Sequence, residues 1–279
     1  MVYLLVVSLL WAVSPGLIKG RLAGLDSALI SVARLGLALL VFAPFLRFRR
    51  LPARTAWALT GIGALQFGVM YLAYNESFHF LPAYEVALFT ITTPILVTLI
   101  ADAIDQVLRP RALLAAGLAV IGTAVLVWHS TSTSAVTMRG FLLVQISNAA
   151  FAVGQVLYRR VQAWPGTPPD RETFALLYGG ALAVSLAALL LKPEVSVTFT
   201  TSQLITLLYL GVISSGIGFF LWNRGATRVN AGTLAVMNNA KVPLMVACSL
   251  LFFGESADIP RMLVSLGLLS IAVWVAEKK

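Results

Sequence analysis

Ten mostly apolar runs follow one another along the chain, at 2–19, 27–46, 56–76, 83–101, 111–128, 139–158, 173–191, 203–222, 231–253 and 260–276. A helix needs about 20 such residues to cross a hydrocarbon core, and most of the runs reach that length. They are solidly apolar rather than alternating, which excludes a transmembrane β-barrel. Proline, glycine and charge punctuate them at Leu51-Pro52, Leu81-Pro82, Arg109-Pro110, Trp164 to Asp170, Lys192-Pro193 and Ile259-Pro260. The first run has no small-residue cleavage site before the second and is read as a span, not a removable signal. The pattern predicts an all-α integral membrane protein with ten transmembrane helices.

Composition sharpens this picture. Of 279 residues, 59% are hydrophobic and 11% charged, where a soluble domain carries about 25% charged residues. A soluble globule of this size could not hide that much apolar surface. The net charge of +9 could point to nucleic acid, but the basic residues flank the apolar runs, which is the footprint of bilayer orientation. Thirteen of the 20 Lys and Arg residues sit at one set of ends, around 47–54, 109–111, 159–171, 224–228 and 278–279; five sit at the other. The positive-inside rule therefore places both termini in the cytoplasm. Cys248 is the single cysteine, and His79 and His129 lie far apart. No disulfide framework, metal cluster or cofactor is expected. The loops are too short for a nucleotide-binding domain, and no paired carboxylates or Ser/His/Asp set marks an enzyme.

The third and eighth runs match at an offset of 148. Gly63 pairs with Gly211, Gly68 with Gly216, Tyr71 with Phe219, Tyr74 with Trp222 and Asn75 with Asn223; one inserted residue later, Pro94 faces Pro243. Each half, 1–130 and 138–279, then holds five spans. Five is odd, so the second half enters the membrane from the opposite side. Inverted repeats of this kind build secondary transporters, with the solute site near the midplane at the repeat interface. The paired segments Gly63–Pro94 and Gly211–Pro243 resemble the drug/metabolite transporter superfamily, in its EamA-type branch. Within it, the aromatic segment Tyr71-Leu-Ala-Tyr74-Asn75-Glu76-Ser-Phe78 and Lys241 after Asn238-Asn239 resemble the YddG-type exporters of aromatic and hydrophobic amino acids. The resemblance implies a bacterial inner-membrane protein, a helix basket around a central cavity, and export of such amino acids by alternating access.

The residues that could meet a solute are those near mid-span. Lys241 is foremost, 10 residues into the ninth run. A lysine there is costly, so it is read as an anchor for a solute carboxylate, with Asn238 as its hydrogen-bonding partner. Gln145, Asn148 and Gln155 form a polar stripe on the sixth helix. Thr90 adds a hydroxyl, and Trp11, Tyr71, Phe89, Phe151 and Phe219 are expected to supply an apolar wall. Each has a plainer role in helix packing. Arg34 and Glu85 are expected to pair as a latch. Trp57, Trp128, Trp164, Trp222, Trp274 and Tyr3 are assigned to the interfacial belt. No Asp or Glu lies at mid-span, so sodium coupling is not expected. The expected partners are a small-molecule solute and the lipid bilayer, with no nucleic acid; the protein is expected to act as a monomer, an oligomer being left open. Other readings are a different cargo (a nucleoside-like metabolite or a cationic drug), an intramembrane lipid-modifying enzyme and a channel.

Overall fold

The structure is a computed structural model that describes residues 2–47, 49, 51–107, 134–192, 195, 198–229, 231–256 and 258–277, with isolated positions between 110 and 125. The fifth expected span, 111–128, lies almost wholly outside these residues, as do Arg50, Arg109, Arg111, Trp128, His129, Lys278 and Lys279. Seven described helices are long and apolar enough to cross a membrane, and two apolar stretches, Lys241–Phe252 and Ile259–Ala272, are shorter. The molecule is all-helical wherever it has regular structure, as its membrane-length runs predict.

The helices are α1 (Val2–Ala12), α2 (Ser14–Arg21), α3 (Ser27–Phe42), α4 (Ala53–Gly63), α5 (Met70–Ser77), α6 (Ala83–Phe89), α7 (Thr93–Asp105), α8 (Ser134–Gln162), α9 (Asp170–Leu190), α10 (Thr201–Leu208), α11 (Gly218–Ala226), α12 (Ala231–Phe252) and α13 (Ile259–Glu277). Local chemistry sets several ends. Asp26 caps α3, accepting from the Ala28 and Leu29 amides at 2.8 and 3.2 Å. Thr200 and Gln203 form a capping box on α10. Glu255 accepts from the Ala83 and Tyr84 amides at 2.6 and 2.9 Å; a carboxylate suits the positive end of α6.

Four described spans are interrupted within their length, the first at Val13 between α1 and α2 and three others by π or 3-10 segments. π-helical segments, Ala64–Val69 and Tyr209–Ile217, join α4 to α5 and α10 to α11. A short 3-10 turn, Thr90–Thr92, separates α6 from α7 ahead of Pro94, whose ring and missing N–H break the helix ladder. In lipid the freed carbonyls need partners, and side chains supply them. Asn148 Nδ2 donates to the Phe89 carbonyl at 2.9 Å and Thr93 Oγ1 to that of Thr90 at 2.7 Å. Trp11 Nε1 donates to the Ser214 carbonyl at 2.9 Å, and the Tyr178 hydroxyl to those of Ser215 and Gly216 at 2.7 and 2.9 Å.

Leu9, Leu190 and Leu251 expose most of their surface, which suits a perimeter facing acyl chains. Trp57 and Trp274, near span ends, are 78% and 61% exposed, as the belt reading expects. Trp222 is a correction: it is fully buried, packed on Trp11 at 5.2 Å. It sits one turn from the end of α11, but the face it occupies points inward, and counting from a run's end cannot show which face a ring takes.

Candidate functional site

Cavity-lining residues come from α1, α2, α3, α5, α7, α8, α11 and α12, with the π segment Tyr209–Ile217 and the 3-10 turn adding one each. They enclose a cavity of about 80 Å³, enough for several waters. Seven residues expected at the site line it: Trp11, Tyr71, Thr90, Asn148, Phe151, Phe219 and Lys241. Its wall also includes Ser14, Arg34, Met70, Tyr74, Thr93, Ser147, Ser214 and Met245.

Lys241 projects from α12 into an aromatic box. Its Nζ lies 4.7 Å from the Trp11 ring centre, 5.1 Å from Trp222 and 5.9 Å from Phe151. Such faces favour a cation. Among the described residues none hydrogen-bonds this amine, neither the expected partner Asn238 nor Thr90, Thr93 or Asn148 nearby, and ring contacts surround it instead. Thr90, Thr93 and Asn148 turn to backbone carbonyls and to Thr92.

Arg34 is the second basic residue of the wall. It is 2% exposed and does not pair with Glu85. Its Nη2 donates to the Tyr71 hydroxyl at 2.7 Å, Nε to Ser215 Oγ at 3.2 Å and Nη1 to Asn75 Oδ1 at 3.5 Å. Tyr71 and Ser215 hydroxyls lie 2.7 Å apart, and Asn75 donates on to Ser31 at 2.8 Å. The guanidinium lies 4.2 Å from the Tyr71 ring centre. Of its five N–H donors, three meet described acceptors. Glu85 instead accepts from the Tyr84 hydroxyl at 3.2 Å. The latch was inferred from similar depth, and depth says nothing about which way a side chain turns.

Four expected site residues, Phe89, Gln145, Gln155 and Asn238, stand apart from the cavity wall. Phe89 is fully buried against Phe141 at 5.2 Å. Gln145 accepts from Thr92 Oγ1 at 2.8 Å and ties α8 to the 3-10 turn. Asn238 is buried beside the cavity on α12; the side chain of Asn239 lies outside the described residues. The Tyr74 and Met245 contributions were missed, although the Tyr74–Trp222 pairing at the repeat offset hinted that this position faces inward.

A membrane bundle with two basic side chains around a mid-span cavity has the form of a carrier, and sequence comparison decides the matter. The pattern of the EamA-like transporter family matches residues 1–128 and 138–276. The chain belongs to that family. It is therefore a transporter and not an enzyme. It is 40% identical over 276 residues to a probable biotin transporter of Pseudomonas aeruginosa, covering 98% of this chain and 96% of that protein. It is 38% identical over 281 residues to biotin transporters of Salmonella typhimurium and Escherichia coli, covering 100% of this chain and 93% of theirs. A solved crystal structure matches with a TM-score of 0.68 at 19% identity, over 99% of this chain and 95% of that one, a likeness of fold. These relatives are named for biotin, not for the amino acids that the aromatic segment suggested. In the structure that segment spends Tyr71 on Arg34 and Tyr74 on packing against Phe78 at 5.1 Å. An aromatic wall fits any flat apolar body and does not single out an amino acid.

Proposed function

We propose that this protein moves biotin, or a monocarboxylate of similar shape, across a bacterial inner membrane by alternating access. One observation carries the reading. The cavity wall holds two basic residues, Arg34 and Lys241, and among its described residues no Asp or Glu. That wall suits a solute with one carboxylate and an uncharged remainder. An amino acid brings an ammonium as well, and a cationic drug brings only positive charge; both would sit against like charge. Biotin has one carboxylate on an apolar chain and an uncharged cyclic urea. In this reading Lys241 anchors the carboxylate with Arg34 beside it. Trp11, Tyr71, Phe151 and Phe219 cover the apolar part, while Asn148 and Thr90 offer hydrogen bonds.

The proposed frame is ten spans in two inverted five-span repeats, 1–130 and 138–279, with both termini cytoplasmic. The two stretches matched by the family fall on these halves. The packing supports the same frame. The π segment Ala64–Val69, moved by 148, falls within Tyr209–Ile217. Gly63 lies against Leu177 of α9, and its counterpart Gly211 against Leu37 of α3. Each third span of a half thus meets the second span of the other half, as a two-fold axis requires.

The test is exchange of labelled biotin and labelled phenylalanine in proteoliposomes. Biotin exchange that exceeds phenylalanine exchange, and its loss in Lys241→Met protein that still purifies folded, is the expected result. Phenylalanine exchange without biotin exchange would restore the amino-acid reading.

A further inference from the structure

Four helical segments carry the cavity face onward in one direction. On α8, Asn148 lines the cavity and Gln155 follows seven residues later, two turns and about 10 Å along the same face. On α12, Asn238 precedes Lys241 by three. On α11, Asn223 follows Phe219 by four, and in the third span Gln66 precedes Met70 by four. Residues three, four and seven apart share a helix face. Every step leads toward Ala53, Gln162, Ala226 and Ala231. Contacts of Arg54 with Trp164, and of Phe42 with Phe174 and Phe220, place those termini at one end of the bundle.

Gln66, Gln155, Asn223 and Asn238 are all 1% exposed or less. Gln66 donates to Asn223 Oδ1 at 3.2 Å. Beyond that bond, Gln66 Oε1, both polar atoms of Gln155, Asn223 Nδ2, Asn238 Oδ1 and the neighbouring Trp222 Nε1 meet no hydrogen-bonding partner among the described residues. Buried amides are normally paired, because an unpaired one forfeits its hydration. Aromatic rings separate this layer from the cavity. Phe219 lies 4.7 Å from Trp11, 4.7 Å from Phe67 and 5.9 Å from Phe151, and Trp11 lies 5.2 Å from Trp222.

We propose that Gln66, Gln155, Asn223 and Asn238 line the other half of the solute path, closed in this state by Phe219, Trp11 and Trp222. They hold the uncharged polar end of the solute, and its water, when that end of the bundle opens. Carboxamides offer donors and acceptors without charge, which matches a cyclic urea and leaves the carboxylate to Lys241. This rests on the alternating-access reading, and its pathway part is independent of which solute is carried.

Single cysteines placed at Gln155 or Asn238 in a Cys248→Ser background test it, in oriented vesicles treated with a membrane-impermeant thiol reagent. Ser185→Cys is the reference: Ser185 is equally buried, on α9, which gives nothing to the cavity wall. The expected result is labelling at least ten-fold faster than at position 185, from one side only, with a rate that added biotin changes. Labelling no faster than at position 185 would overturn the proposal. Fast one-sided labelling that ignores biotin but responds to another solute would uphold the path and overturn the biotin reading. Gln155→Leu and Asn238→Leu supply an independent measure. A path role predicts an unchanged or raised melting temperature with transport cut at least ten-fold, whereas a lowered melting temperature with full transport per folded molecule would return these residues to packing.

Discussion

Lys241 and Arg34 share a cavity but are held in different ways, and their substitutions should separate accordingly. Lys241 meets three rings and no hydrogen-bond acceptor among the described residues. Lys241→Met should therefore leave thermal stability in detergent nearly unchanged while abolishing transport. Arg34 is bonded to Tyr71, Ser215 and Asn75. Arg34→Met leaves buried acceptors without a donor, which costs about 1–3 kcal/mol, so both stability and transport should fall. Equal stability losses in the two variants would show that Lys241 is structural after all. The charge at each position was legible in the sequence, because a basic residue deep in an apolar run is costly. The partner of Arg34 was not, because Tyr71, Asn75 and Ser215 come from two other spans. Asp26, outside the membrane, gives a pH prediction. Burial raises its carboxyl pKa, but the Lys192 ammonium and the Leu29 and Ala28 amides outweigh burial and hold it below the ordinary 3.8. A depressed pKa contributes stability above the unfolded value that fades as pH falls through the folded one. Asp26→Ala should thus lose about 1 kcal/mol at pH 7, the usual worth of a helix cap. Melting curves of the two proteins should converge only below about pH 3.8; a constant gap down to pH 2 would contradict this.

The helices themselves were legible, because runs of membrane length leave little choice of structure. Their interruptions were only partly so. The 3-10 turn lies just ahead of Pro94, but a proline alone does not announce a break, since its counterpart Pro243 lies inside α12; the π segments carry no proline and lie where Gly63, Gly68, Gly211 and Gly216 let neighbours approach. The contact of α4 with α9 shows how close. A Cβ on Gly180 would lie 1.9 Å from the Thr60 carbonyl oxygen, and one on Gly63 2.0 Å from that of Leu177. Both obstacles are backbone, which cannot swing aside. Gly180→Ala should cost about 1–3 kcal/mol as overpacking does. The adjacent Gly179 has open space where its Cβ would stand, so Gly179→Ala should be neutral or stabilise by up to about 1 kcal/mol. Thermal unfolding of the pair checks this; equal behaviour would mean the two helices shift apart at little cost. The misplacement of Trp222 has the same origin as the unseen π segments: one chain's periodicity reports depth along a span, not the neighbour each face will meet.

At the scale of the whole molecule, the proposed correspondence of segments at an offset of 148 is supported by reciprocal packing. The α8 helix packs on the π segment and α5 of the third span and on α7, while α1 packs on α11 and α12. In the proposed frame the first span of each half thus meets the third and fourth of the other. In that proposed frame the cavity lies between the halves, and opposite tilts of one half against the other would open opposite ends. The same organisation bears on energy coupling. A sodium site within the membrane draws on carboxylates, helped by backbone carbonyls where helices unwind. Here the buried acids among the described residues lie toward span ends, Glu85 in the first turn of α6 and Asp102 in the last turn of α7. Five carbonyls in or beside the interrupted segments, of Phe89, Thr90, Ser214, Ser215 and Gly216, accept side-chain hydrogen bonds from Asn148, Thr93, Trp11 and Tyr178. Among its described residues the cavity wall carries no carboxylate. Solute exchange in proteoliposomes should therefore run at the same rate with sodium inside and outside, with potassium in its place, or with choline. An absolute requirement for sodium would show that a cation site forms in a conformation whose carbonyls are released, and would move the search for it to the π segment Tyr209–Ile217, where Ser214, Ser215 and Gly216 hold the carbonyls that a tilt of α9 or α1 would free.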